Sequence, residues 1–127
     1  MSITSLLAVG AGGALGALSR YGISLLPFRG EFPLLTLVTN LLGAVLIGFL
    51  AGWAGRGRLS SGWTLFWKTG VCGGFTTFST FSLETLRLFE GGQTASGLLY
   101  VGASVVLCVA GVYAGELLGR ALLRRGG

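Results

Sequence analysis

Four apolar runs dominate this chain, over residues 4–26, 33–53, 63–89 and 94–118, and only short polar turns separate them. About 20 apolar residues span a bilayer as a helix, so a chain of 127 residues has room for four crossings and little else. The expected fold class is all-α integral membrane: a single four-helix transmembrane domain over 1–127, with the third helix broken mid-membrane.

The punctuation fits that reading. Pro27 and the turn Arg29, Gly30, Glu31 close the first run, and Pro33 stands where a helix start tolerates proline. Arg56, Arg58 and Ser60 to Gly62 form the second turn, and Gly91 with Gly92 forms the third. Trp53, Trp63 and Trp67 gather at one loop and Tyr21, Phe28 and Phe32 at another, as interfacial aromatics do. The residues after Met1 lack the basic start of a secretory signal, so the first helix is expected to stay in the mature protein.

Only 10% of residues are charged and 52% are hydrophobic, too little charge to cover a water-facing surface. Histidine and aspartate are absent, and the four acids are Glu31, Glu84, Glu90 and Glu116. Serine–histidine triads, histidine metal sites and aspartate-based phosphoryl transfer lose their usual residues, which argues against an enzyme. The net charge of +5 is spread along the chain rather than clustered on one face, which disfavours nucleic acid. Cys72 and Cys108 read as small buried apolar residues.

Arg56, Arg58, Lys68, Arg120, Arg124 and Arg125 lie towards the side of the termini, against Arg20, Arg29 and Arg87 on the other. The bias favours cytoplasmic termini, modestly enough that insertion the other way remains open.

The 24 glycines fall into small-residue stripes: Gly12 and Gly16, Gly48 and Gly52, and Gly111, Gly115 and Gly119. Such spacing lets backbones approach where lipid supplies no hydrophobic drive, within a subunit or between subunits. Gly10 to Gly16 superficially suggests a dinucleotide loop, but Leu15 stands where the pattern needs glycine and no strand precedes it. Four spans make a thin bundle, so a homo-oligomer is expected.

The segment from Gly70 to Phe81 reads Gly-Val-Cys-Gly-Gly-Phe-Thr-Thr-Phe-Ser-Thr-Phe, with the break expected near 72–79. A break at membrane depth survives only where protein or a water-filled path covers it, and ion sites are built that way. Phe78 and Phe81, three apart, share a helix face beside Ser79 and Thr80, and edge-on rings can coordinate an anion. Freed carbonyls at 73–77 could hold a cation. Asn40 is the only amide in an apolar span and needs either a neighbouring helix or a passing ion. Arg20 is either a snorkelling arginine or a vestibule charge that concentrates anions. Tyr100, Ser104 and Cys108 share a face at steps of four, as an ion track or as interhelical glue, until Val112 ends the stripe. Glu84 is functional unless Ser82 and Thr85 satisfy it, and Glu116 pairs readily with Arg120.

The runs Gly13 to Tyr21, Thr39 to Gly43 and Gly73 to Phe81 together resemble the Fluc (CrcB) fluoride channels, over essentially the whole chain. The resemblance implies an antiparallel dual-topology homodimer in the bacterial inner membrane, with two fluoride pores along the subunit interface and passive, selective fluoride export. It implies that Phe78, Phe81 and Asn40 line the pore, that Ser79, Thr80 and Glu84 form the polar group after the break, and that Tyr100 and Ser104 continue the track. It further implies that the backbone carbonyls of Gly73 and Thr76 hold a structural sodium ion (Na+) at the dimer axis. Two departures stand out: Cys108 and Val112 replace hydroxyls, and the basic bias exceeds that of an evenly dual insertion.

The rival from another class is a small dual-topology proton-coupled multidrug exporter, which needs a carboxylate in the first span, where residues 4–26 have none. A purely structural protein would leave the break and Asn40 unexplained.

Overall fold

The computed structural model describes residues 1–55 and 57–126, all-helical with turns and no strand among them. Arg56, one of the basic residues behind the expected orientation, lies outside the described residues.

Helix α1 (Ile3–Ser24) starts where the Ser2 hydroxyl accepts the Ser5 N–H at 3.1 Å, and it ends ahead of Pro27. Helix α2 (Leu34–Ala54) begins immediately after Pro33. A short α3 (Ser61–Thr64) runs into a π-helical stretch, Leu65–Cys72, and then into α4 (Gly73–Phe75). After two extended residues come α5 (Phe78–Glu90) and the long α6 (Thr94–Arg125). Gly92 turns α5 into α6 at φ 76°, a left-handed conformation that glycine adopts without a β-carbon penalty. Three helices, α1, α2 and α6, are long and apolar enough to cross a membrane.

The glycine stripes pack helices within one subunit. A β-carbon at Gly48 or Gly52 of α2 would collide with the carbonyls of Val112 and Glu116 on α6. In return, one at Gly115 or Gly119 would strike those of Val45 and Phe49. Gly12 and Gly16 bring α1 equally close to the backbone at Phe66 and Val71. Backbone contact of this kind replaces the hydrophobic drive that lipid withholds.

The expected break at 72–79 is corrected to two residues. Gly73 and Gly74 remain helical, and a β-carbon at Gly74 would meet the Gly13 carbonyl, so Gly74 serves close packing against α1. The chain leaves helical geometry at Thr76 (φ −82°, ψ 154°) and Thr77 (φ −146°, ψ 113°), and Thr77 caps α5 by accepting the Thr80 N–H at 3.2 Å. Before the break, the π-helical stretch is itself a rare geometry that recurs at functional sites.

Candidate functional site: the groove at the helix break

The side chain of Asn40 on α2 reaches the break. Its Nδ2 donates to the Thr77 carbonyl at 3.2 Å, and the Thr77 N–H donates to its Oδ1 at 2.8 Å. A continuing helix would give that N–H to the carbonyl of Gly73, so the clamp takes away the usual donor of the Gly73 carbonyl. The next carbonyl, Gly74, accepts from the Arg20 Nε at 3.2 Å. Arg20 is thus tied to the break by one of its five N–H groups.

A cavity of about 420 Å³ opens beside the break. It brings together Asn40, Gly73, Thr76, Phe78, Phe81 and Ser104 from three separate stretches of chain, and Lys68, Cys108 and Val112 line it further along. Phe78 is 80% exposed and its ring lies 5.4 Å from that of Phe81 at 45°. Phe81 leans the other way onto Tyr100, centroid to centroid 5.0 Å.

Tyr100 is fully buried, in a core cluster with Leu37 and Leu88, and Phe32 meets it edge-on at 5.5 Å. Its hydroxyl and that of Ser104 are buried without a hydrogen-bond partner among the described residues. Buried hydroxyls normally find partners, so two unpaired ones a helical turn apart are exceptional. Ser104 lines the groove, whereas Tyr100 is packed behind Phe81 in the core and is not among the groove's lining residues.

Other expected residues fall outside it. Ser79 and Thr80 sit in the first turn of α5, where the Thr77 hydroxyl contacts both, at 3.4 and 3.0 Å. Glu84 lines a separate cavity with Thr36, whose hydroxyl donates to its Oε1 at 2.7 Å. The expected local partners of Glu84 are corrected here. Ser82 donates to the Phe78 carbonyl and Thr85 to the Phe81 carbonyl, each at 2.8 Å, because hydroxyls inside a helix bond back one turn. Glu116 does pair with Arg120.

Three contributors escaped the reading of the sequence: Lys68 on the groove wall, Thr77 as the partner of Asn40, and Thr36 as the partner of Glu84. Lys68 did carry a signal, four residues before Cys72 on the same helical stretch. Thr77 carried one too, since Thr77 and Thr80 have the spacing of a helix start.

Carbonyl oxygens at an unwound helix suit a hard monovalent cation such as sodium, and Gly73, whose carbonyl has lost its usual helical donor, and the extended Thr76 both line the groove.

Comparison with known proteins gives a consistent result. The model of the family described as CrcB-like protein, Camphor Resistance (CrcB), matches residues 7–116. A protein of Methylobacterium nodulans named Fluoride-specific ion channel FluC is 47% identical over 109 residues, covering 84% of this chain and 88% of its own. One of Rhizobium meliloti with the same name is 48% identical over 122 residues, covering 93% and 98%. A third, from Ruminiclostridium cellulolyticum and again so named, is 43% identical over 126 residues, covering 93% and 94%.

Proposed function

We propose that this chain, which belongs to the CrcB family, is a fluoride-selective ion channel through which the ion leaves the bacterial cytoplasm passively. It is a multi-pass membrane protein and not an enzyme. The observation that carries the mechanism is the unpartnered Ser104 hydroxyl on the groove that the Phe78 and Phe81 rings also line.

Fluoride is small and tightly hydrated, so a conducting site must replace its water with donors while holding it weakly enough for exit. Ser104 and Tyr100 offer O–H groups, and the remaining N–H of Asn40 offers another once the amide is fixed by Thr77. Phe78 and Phe81 supply positive ring edges, which attract an anion without a full charge that would trap it. Arg20, held at Gly74, and Lys68, further along the groove, raise the local anion concentration at the approaches. Ser79, Thr80 and Glu84 form the polar continuation of the pathway beyond the break. Cys108 and Val112 leave the far part of the α6 stripe without a hydroxyl donor.

The working unit is an antiparallel dual-topology homodimer of single four-span domains, in which Ser61 to Glu90 acts as the third, broken span. One fact supports it: the groove carries polar groups and freed backbone, which lipid would leave unsatisfied, so a second copy is needed to close it. The carbonyls of Gly73 and Thr76 would hold a structural sodium ion at the dimer interface, which would supply fixed positive charge there. A proton-coupled exporter is not favoured, since α1 has no carboxylate.

The deciding experiment is fluoride efflux from liposomes containing the purified protein, followed with a fluoride electrode beside a chloride control. Fast fluoride release with negligible chloride release is expected. Equal release of both ions, or none from folded protein, overturns the proposal.

A further inference from the structure

Where α2 and α6 end, away from the groove, a second cavity of about 740 Å³ opens among Ala51, Gly52, Gly55, Arg58, Arg120 and Arg124, with Leu123 completing its wall. Its floor is made of small residues. Gly52 lies so close to α6 that a β-carbon would strike the Glu116 carbonyl, so the two helices meet tightly beneath a niche that no large side chain fills.

Three guanidiniums surround that niche, and they come from different places. Arg120 and Arg124 are one turn apart on α6, whereas Arg58 arrives from the loop beyond α2. Arg120 is paired with Glu116, but among the described residues Arg58 and Arg124 take part in no ion pair and no carboxylate lines the cavity. Basic residues near helix C-termini commonly do no more than complement the helix dipole. That accounts for Arg124, but it leaves Arg58, which is not on a helix, converging on the same cavity. The ends of two helices contribute about half a negative charge each, less than the three guanidiniums.

Depth identifies the occupant. The apolar stretch of α2 finishes at Trp53 and Ala54, next to Gly55 on the cavity wall, which puts the arginines at headgroup level. Leu123 and Ala51 give the apolar side along which an acyl chain can run. Guanidinium forks match phosphate oxygens in geometry as well as charge.

We infer that this niche is a binding site for the phosphate headgroup of an anionic phospholipid. The site does not depend on the fluoride pathway. It gives the end of the bundle that carries the C-terminus a preference for acidic lipid in whichever leaflet it faces.

The test is lipid titration of the full-length protein in detergent, read by native mass spectrometry, with phosphatidylglycerol, phosphatidylcholine and inorganic phosphate as probes. Phosphatidylglycerol should bind at least about tenfold more tightly than phosphatidylcholine. Each guanidinium removed should weaken it about fivefold, first in Arg58→Gln and then with Arg120→Gln and Arg124→Gln added. The pair Arg29→Gln and Arg87→Gln, which removes charge at the other end, should leave binding unchanged. Equal retention of both lipids, undiminished binding in the triple variant, or an equally strong response to inorganic phosphate overturns the inference. Arg58→Gln, which lies outside the groove, should keep full fluoride efflux in phosphatidylcholine liposomes, so failure of the lipid site leaves the channel reading standing.

Discussion

The amide of Asn40 and the backbone of Thr77 hold each other in both directions, at 3.2 and 2.8 Å, across 37 residues of sequence. The clamp satisfies the Thr77 N–H, which the broken helix would otherwise leave unpaired inside a membrane, and it fixes the N-cap of α5 relative to α2. The Phe78 ring follows directly, so the amide sets the position of the pathway as well as contributing to it.

Asn40→Ala should therefore damage both stability and conduction. Leaving the Thr77 N–H unpaired costs about 1–3 kcal/mol, read as a lower thermal midpoint in detergent. Fluoride efflux should fall sharply in the same preparation while the dimer survives size-exclusion chromatography. A variant with unchanged efflux would remove Asn40 from the pathway.

Phe81→Ile separates packing from ion contact. The substitution keeps an apolar side chain against Tyr100, so unfolding should shift by less than about 1.5 kcal/mol. Loss of a ring edge worth about 1–1.5 kcal/mol should lower efflux on the order of tenfold, and Phe78→Ile should act in the same direction. Liposome efflux rates at matched protein density check both.

The contact between Thr36 and Glu84 predicts a graded pair. Thr36→Val removes the donor to a carboxylate oxygen, a bond worth roughly 1.5–3 kcal/mol to a charged acceptor, and should lower the thermal midpoint clearly. Glu84→Gln keeps an oxygen that accepts and should cost less. A double-mutant cycle near zero coupling would show that the bond contributes nothing.

Glycine positions that look alike in sequence should behave differently. Gly115→Val meets the Val45 carbonyl, and backbone cannot rotate away, so a loss of about 1–3 kcal/mol or failure to assemble is expected. Gly22→Ala enters open space on α1 and should be neutral or stabilise by up to about 1 kcal/mol. Thermal melts of the two variants beside the parent decide it.

Much of this protein is legible from residue order. Helix class, the span boundaries to within a few residues for α1 and α2, and the residues gathered at Asn40, Phe78, Phe81 and Ser104 all follow from periodicity and from chemistry out of place in an apolar run. Those signals are local: they say that a residue is buried or exceptional and which face it occupies. The extent of the break is not legible locally, because Gly73 and Gly74 are helical despite glycine's low helix propensity and two threonines carry the extended backbone. Likewise, nothing local could show that Glu84 turns to Thr36, that Arg20 reaches Gly74, or that the paired glycine stripes of α2 and α6 face each other. Sequence by itself determined an apolar helical chain with one polar interruption, because burial preference is a property of each residue. Only the tertiary structure decided which groups satisfy that interruption. A hydrogen-bond partner 37 to 54 residues away is chosen by how closely packed helices align, and that alignment belongs to the whole bundle.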